Sequence, residues 1–115
     1  MRLYAEYLKE RENIEMIHDD HCFIAYKIDG DEVMIHDIYA DQEVRATGYM
    51  LKFCLEFQKV LEEKGVKKIY SQTDERTNGW ERSDFLMKKQ GFSYLGKDPD
   101  NKSINNYYIK IGMGE

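Results

Sequence analysis

Hydrophobic residues recur along this chain at spacings that distinguish helices from strands. Apolar side chains three or four positions apart predict helices over residues 2–12, 49–64 and 79–90, and the second helix has the most regular apolar stripe. Runs rich in β-branched and aromatic residues predict strands over residues 22–28, 33–40, 68–73, 93–95 and 105–111. The predicted order is therefore helix, strand, strand, helix, strand, helix, strand, strand.

Glycine-containing turns indicate how these elements connect. Asp29-Gly30 supplies the positive φ of a tight turn, so the first two strands are predicted to form an antiparallel hairpin. Gly65 ends the central helix, and the short link after it predicts a right-handed crossover onto a parallel strand. The sequence thus predicts an α+β fold with a mixed sheet flanked by helices, in one domain over residues 1–115.

Composition excludes several classes of protein. The chain has 115 residues, of which 42% are hydrophobic, and its formal net charge of −5 argues against binding to nucleic acid. No apolar run is long enough to span a membrane, and the first residues lack a signal-peptide core, so we expect no membrane partner. Cys22 and Cys54 each lie within an apolar pattern, which favours reduced core thiols in a cytoplasmic protein.

The segment over residues 33–50 carries the clearest chemical signal. A predicted strand is followed by a polar turn that contains Arg45 and Gly48, and the central helix begins directly afterwards. The first N–H groups of a helix lack intrahelical partners and its dipole favours negative charge, so such a turn can hold an anion. Arg45 adds a cation suited to phosphate oxygens. A plain strand-to-helix turn without a ligand is the alternative.

The same segment resembles the acyl-CoA-binding motif of the GCN5-related N-acetyltransferases (GNAT). The residues that carry the resemblance are Asp37-Ile-Tyr-Ala-Asp-Gln-Glu-Val-Arg-Ala-Thr-Gly48. Residues 83–92 resemble the family helix that ends in Lys-x-Gly-Phe, and Tyr107-Tyr-Ile-Lys110 resembles the closing strand. The resemblance covers roughly residues 22–111. Two positions depart from it, since Met50 replaces a small residue of the phosphate loop and Met87 replaces a helix tyrosine.

The resemblance implies a GNAT-like fold in which a central, mostly antiparallel sheet splays after the motif strand. The order of elements is that of the family core without its first strand and one early helix. In this truncated form the chain resembles the small members found in bacteriophage genomes. The implied co-substrate is acetyl-CoA, and the implied reaction transfers its acetyl group to an amine.

The resemblance also assigns residues to acyl-CoA. The end of the motif strand would pair with the pantetheine arm, the loop amides would hold the pyrophosphate, and an asparagine would contact pantetheine. These residues are Ile38, Tyr39, Ala40, Arg45, Ala46, Thr47, Gly48, Tyr49, Met50 and Asn78. The main-chain amide of Tyr39 or Ala40 would polarise the acetyl carbonyl.

Transfer to an amine requires a base that deprotonates the ammonium group. The candidates on the motif strand are Asp37, His36 and Glu32. The resemblance favours Asp37, because carboxylates near the end of this strand recur as bases in the family. His36 is an alternative, since histidine is the commonest general base. Strand alternation puts only one of His36 and Asp37 on the substrate face unless a bulge intervenes, and an ordinary solvated carboxylate is the alternative for either acid.

A second cluster of polar residues, His18-Asp-Asp-His21, has spacing compatible with zinc. No further histidine or cysteine cluster completes a tetrahedral set, so we predict an exposed turn and no metal site.

Two functions from different classes stay open. The first is an acetyl-CoA-dependent N-acetyltransferase that acts on a small amine, a protein lysine or a protein N-terminus. The second is a catalytically weak or inactive GNAT-fold protein, viral in origin, that binds a host protein in the host cytoplasm. Arg45 and Gly48 favour the first, whereas Met50 and Met87 favour the second. A homodimer is compatible with either.

Overall fold

One mixed sheet organises the protein, whose computed structural model describes residues 2–112. Within these residues the elements are α1 (Arg2–Glu12), β1 (Glu15–His18), β2 (Cys22–Asp29), β3 (Glu32–Ala40), α2 (Tyr49–Glu63), β4 (Lys68–Asp74), α3 (Trp80–Lys89), β5 (Ser93–Lys97) and β6 (Ile104–Lys110). The strands lie in the order β1-β2-β3-β4-β6-β5. Only β3 and β4 pair in parallel, so the predicted mostly antiparallel sheet is confirmed.

The predicted connections are present as well. A hairpin joins β2 to β3, and Gly30 at its turn has a φ of 65°. The crossover through α2 brings β4 alongside β3 in the parallel sense. The α2 helix ends at Glu63 and is followed by Gly65, whose φ is 84°. Such a left-handed residue is the usual way to stop a helix, because glycine has no Cβ to clash.

The sequence pattern did not predict β1, and this is a correction. Glu15–His18 pairs antiparallel with β2, which places an additional strand at the edge of the sheet. Its side chains are half-buried or exposed, without a clear alternation of apolar and polar positions. A strand of four residues at an edge is too short to produce the period-two signal by which strands are recognised.

The two faces of the sheet are covered unequally. Cys22, Ile24 and Tyr26 of β2 pack against α2, and Met87 of α3 belongs to the same core. On the opposite face Ala25 packs with Leu8 of α1. The helices α2 and α3 thus share one face, while α1 covers part of the other. No helix within residues 2–112 is long and apolar enough to cross a membrane.

The core of α2 comes from the stripe that its sequence predicts. Its buried residues are Phe53, Cys54, Phe57 and Leu61. Cys22 and Cys54 are both buried and free, as predicted. Burial raises the pKa of Cys22 to about 11 and that of Cys54 to about 12. Neither thiol is ionised at neutral pH, so both are inert as nucleophiles.

A hydrogen-bonded cluster fixes α3 to the sheet. The Tyr107 hydroxyl of β6 donates to Oδ1 of Asp84 at 2.6 Å and lies 2.9 Å from Oγ1 of Thr73 on β4. The hydroxyl of Tyr107 and the ammonium of Lys88 hold the pKa of Asp84 below its usual range, although partial burial opposes the shift. These hydrogen bonds hold α3 in place against β4 and β6.

We predict unequal effects for two leucines on α2. Leu61 is 0% exposed, so Leu61→Ala leaves a cavity and should lower the free energy of unfolding by about 2–5 kcal/mol. Leu55 on the same helix is 43% exposed, and Leu55→Ala should change it by less than about 1 kcal/mol. Urea denaturation measures both variants. Equal losses would contradict this orientation of α2.

Candidate functional site

The strands β3 and β4 separate after a short paired stretch, and this opens the sheet. They pair only from Glu32 with Lys68 to Met34 with Tyr70, although β3 continues to Ala40 and β4 to Asp74. Beyond Met34 on β3 and Tyr70 on β4, the main-chain groups that point from one strand toward the other have no strand partner. An extended ligand can bond to such groups as an added strand does.

A bulge in β3 accompanies the separation. Ala25 of β2 lies opposite Asp37, and the next residue, Tyr26, lies opposite Ile35, so His36 has no partner residue. A bulge bends its strand and increases the local twist. It also changes which side chains face the helices, since Ile35 and Ile38 both pack against the core.

A cleft of about 690 Å³ occupies the space between the separated strands and the helices. Its inner wall is apolar and includes Ile35 and Ile69 from the strands and Phe57 and Met87 from the helices. Ser71 also lines it and is the first residue of β4 beyond the paired stretch. Its dimensions are those of a small-molecule or cofactor site.

The loop over residues 41–48 leads from β3 to α2 and forms the mouth of this cleft. Thr47 fixes its shape, because its hydroxyl donates to the Val44 carbonyl at 2.5 Å and accepts the N–H of Tyr49 at 3.2 Å. Ala46 and Gly48 both have positive φ, at 62° and 86°. The α2 helix begins with no side-chain cap and no acidic residue in its first turn. Apart from the N–H of Tyr49, which Thr47 accepts, the first N–H groups of α2 have no side-chain partner within residues 2–112 and are open to an anion.

Arg45 lies at this mouth, and its side chain is partly engaged. Its Nε donates to the Ala40 carbonyl at 2.8 Å, and its guanidinium lies 5.3 Å from the centroid of the Tyr39 ring. It forms no ion pair with any side chain in the described part of the chain. Arg45 thus braces the end of β3, while its terminal nitrogens have no carboxylate partner among residues 2–112.

The structure brings most of the predicted cofactor residues together. Those that line the cleft are Ile38, Tyr39, Ala40, Arg45, Ala46, Gly48, Met50 and Asn78. Thr47 acts within the loop instead, and the Tyr49 hydroxyl turns away to donate to Asp19 at 2.5 Å. Met50 is half-buried at the first turn of α2, where it lines the cleft and keeps its N–H.

The candidate bases are not equivalent in position. His36 and Asp37 are both exposed at the bulge, and Oδ1 of Asp37 accepts the N–H of Ile38 at 2.9 Å. Because Ile38 faces the helices, Asp37 points to the opposite face of the sheet. Glu32 pairs with Lys68 at the closed end, about 17 Å from Asp37 along the strand. His36 and Asp37 therefore lie together at the bulge, whereas Glu32 lies at the other end of β3.

Two cleft residues on α3 bear on the chemistry. Met87 is 6% exposed and belongs to the core while also lining the cleft, so this position supplies no proton donor. Arg82 lines the cleft and forms no ion pair within residues 2–112, and no pattern in the sequence predicted its place there. Arg82 lines the same cleft as Arg45 because α3 packs against β4, and no local motif marks it.

The turn before β2 is more structured than the exposed turn that the sequence predicts. His21 is half-buried, and its Nδ1 lies 2.9 Å from Oδ2 of Asp41 and 4.0 Å from Oε2 of Glu43. The hydrogen bond with Asp41 raises the pKa of His21 and lowers that of Asp41. These three residues form the one group of close metal-type donors in the described chain. The His21–Asp41 hydrogen bond accounts for their arrangement, and we assign no metal to them.

Several solved structures with this architecture are acetyltransferases. The chain is similar to the ribosomal-protein-S18-alanine N-acetyltransferase of Escherichia coli, with a TM-score of 0.69 and 15% identity over 99% of this chain and 78% of that one. It is similar to a Bacillus subtilis acetyltransferase in complex with CoA, with a TM-score of 0.69 and 14% identity over 92% and 83% of the two chains.

A third similar structure is the PaiA N-acetyltransferase of Thermoplasma acidophilum in complex with coenzyme A. Its TM-score is 0.70 and its identity 20%, over 96% of this chain and 70% of that one. No protein-family model and no curated protein matches the sequence. The chain therefore has the GNAT acetyltransferase fold that its motif resemblance implies.

We predict opposite effects for two substitutions in the loop. Gly48 has a φ of 86° and an added Cβ would meet no atom within 4 Å, so Gly48→Ala should cost about 1–2 kcal/mol through backbone strain alone. Ala46 already carries such strain at a φ of 62°, so Ala46→Gly should be neutral or stabilising. Denaturant midpoints compare the two variants. Equal destabilisation by both would contradict this loop conformation.

Proposed function

We propose that this chain is an acyl-CoA-dependent N-acyltransferase, with acetyl-CoA as the donor and an amine as the acceptor. The observation that carries the proposal is the coincidence of two features at one cleft. Strand edges without partners meet the uncapped start of α2, and both border the same space of about 690 Å³. An acyl-CoA has the two matching parts, an amide-bearing extended arm and a pyrophosphate.

The two parts of the donor would bind by different interactions. The pantetheine arm would bond to main-chain groups of β3 between Ile38 and Ala40, as an added strand. The pyrophosphate would accept from amides of the loop and of the first turn of α2, including that of Met50. Arg82 on α3 is a cation on the facing wall and is suited to a further phosphate of the donor.

Transfer itself would take place directly between the thioester and the amine. The nitrogen attacks the thioester carbon, the carbon–sulfur bond breaks, and CoA leaves as a thiolate that takes up a proton. Cys54 lines the cleft, but with a pKa of about 12 it is not a thiolate that could carry the acyl group. Asp37 lies on the face opposite the helices, where an acceptor can approach, and we assign it as the base.

Met87 favours a second candidate function. A buried methionine cannot protonate the departing thiolate, so the chemistry would depend on water or on the low basicity of the thiolate. A GNAT-fold protein with weak activity that acts by binding another protein is therefore the alternative. For either function we propose one domain over residues 1–115. We also propose a cytoplasmic location, because both cysteines are free, buried thiols.

Binding of CoA tests the proposal directly. We expect CoA to bind the wild type in titration calorimetry, and Arg45→Ala to weaken binding by about 1–3 kcal/mol, the scale of a charge-assisted contact. Arg82→Ala should cost about 0.5–1 kcal/mol, because Arg82 is exposed and screened. Arg11→Ala on α1 is the matched control and should have no effect. Absence of binding at millimolar CoA would refute the acyl-CoA site.

The assignment of Asp37 has its own test. Asp37→Asn keeps the oxygen that accepts the Ile38 N–H, so the fold should be retained while acetyl transfer to a generic amine falls about 10²-fold. Glu32→Gln, at the closed end of the strand pair, is the control and should leave the rate unchanged. An unaltered rate and pH profile in Asp37→Asn would exclude this base and direct attention to His36.

A further inference from the structure

The turn between β1 and β2 contacts both ends of the loop that begins α2. This turn comprises residues 19–21, and the loop covers residues 41–48. At the start of the loop, the N–H of Asp41 donates to the His21 carbonyl at 2.8 Å. At its end, the Tyr49 hydroxyl donates to Oδ2 of Asp19 at 2.5 Å. A segment distant in sequence therefore holds both boundaries of the loop that we assign to the pyrophosphate.

His21 is the centre of this arrangement. Its Nδ1 lies 2.9 Å from Asp41 and 4.0 Å from Glu43, and its ring meets the ring of Tyr49 edge-on at 5.4 Å between centroids. The backbone of the turn is fixed independently, because Oδ1 of Asp19 accepts the N–H groups of His21 and Cys22, each at 2.8 Å. The turn therefore has its own hydrogen bonds, and these hold the imidazole next to the loop.

The charged groups that face the imidazole are all acidic. Asp41 and Glu43 come from the loop and Asp19 from the turn itself, and all three favour the protonated ring. Tyr49 contributes a neutral hydroxyl, since its hydrogen bond to Asp19 raises its pKa to about 12. A pyrophosphate bound at residues 45–50 would bring more negative charge to the same loop. A protonated His21 offsets that charge, whereas a neutral one leaves two loop carboxylates uncompensated.

We infer that His21 is a positioning residue for the phosphate-binding loop and that binding of CoA to this loop is coupled to uptake of a proton at His21. The inference rests on the proposed function, because it takes CoA as the ligand. Coupling of this kind is reciprocal. Protonation of His21 strengthens binding of the anion, and the bound anion strengthens binding of the proton.

The ligand-free protein tests the first part of the inference. The pKa of His21 is raised above its ordinary value of 6.5, so its contribution to stability is fully present below that value and is lost as pH rises through the folded value. We expect the melting temperature of the wild type to fall as pH rises from about 6 to 8. His21→Asn should remove most of this fall, and so should Asp41→Asn, which keeps a hydrogen-bonding side chain.

His18→Asn provides the matched control, because His18 is an exposed histidine on the neighbouring strand β1. This variant should retain the pH dependence of the wild type. If His21→Asn retained it as well, the positioning role of His21 would be refuted. If His21→Asn did not fold, Asp41→Asn would decide the same question.

Calorimetry with dephospho-CoA tests the second part. This ligand lacks the 3′-phosphate, whose ionisation near pH 6 would itself take up protons. Titrations at pH 7 in buffers of different ionisation enthalpy should show fractional proton uptake by the wild type and by His18→Asn, and much less by His21→Asn. The affinity of the wild type should be about two- to fivefold lower at pH 8 than at pH 6, the scale of a screened surface charge pair.

The outcomes separate this inference from the proposed function. Binding by the wild type with no more proton uptake than His21→Asn would overturn the coupling and leave the acyl-CoA assignment intact. A wild type that binds neither CoA nor dephospho-CoA would overturn both the assignment and the coupling. The melting curves of the ligand-free variants would still decide whether His21 positions the loop.

Discussion

The separation of β3 from β4 is the constraint on which the site depends. Parallel strands that stayed paired to their ends would satisfy each other's main-chain groups and leave no room between α2 and α3. Here the pairing stops at Met34 and Tyr70, and the bulge at His36 bends β3 away. The gap exposes two strand edges inside the fold, where unpaired polar groups are costly unless a ligand or water bonds to them. After this bend, the end of β3 leads into the loop that precedes α2.

Most of the groups that this cleft offers to a ligand therefore belong to the main chain. Strand edges and helix N–H groups are present whatever side chains the sequence carries, provided that nothing blocks them and the loop can adopt its left-handed residues. This explains how the fold tolerates identities of 14–20% with the acetyltransferases of similar structure. It also explains why the cleft is present although Met50 lines it. A chemical step that needs a particular side chain is more sensitive to substitution. At position 87 the chain has a methionine, which cannot donate a proton.

The elements with long periodic patterns were predictable from sequence. The α2 helix carries a four-residue buried stripe, Asp29-Gly30 specifies a hairpin, and the short link after Gly65 specifies the parallel crossover. Features set by tertiary packing were not. The strand β1 is too short for a period, and the location of the bulge depends on how β2 pairs with β3. The direction of a long flexible side chain such as Arg45 or Arg82 follows from its neighbours in space, which no local pattern records.

Charge at the mouth of the cleft follows from the same geometry. The chain is acidic overall, and the loop itself contains Asp41 and Glu43, which is an unusual setting for an anion site. Attraction has to come from oriented groups at short range, because the long-range field of the protein repels an anion. The start of α2 supplies dipoles, Arg45 and Arg82 line the cleft from the loop and from α3, and His21 bonds to Asp41 at the start of the loop. The two arginines line one cleft because the sheet opens between β3 and β4, so the strand separation that would admit an extended ligand also places cations where they would bind its phosphates.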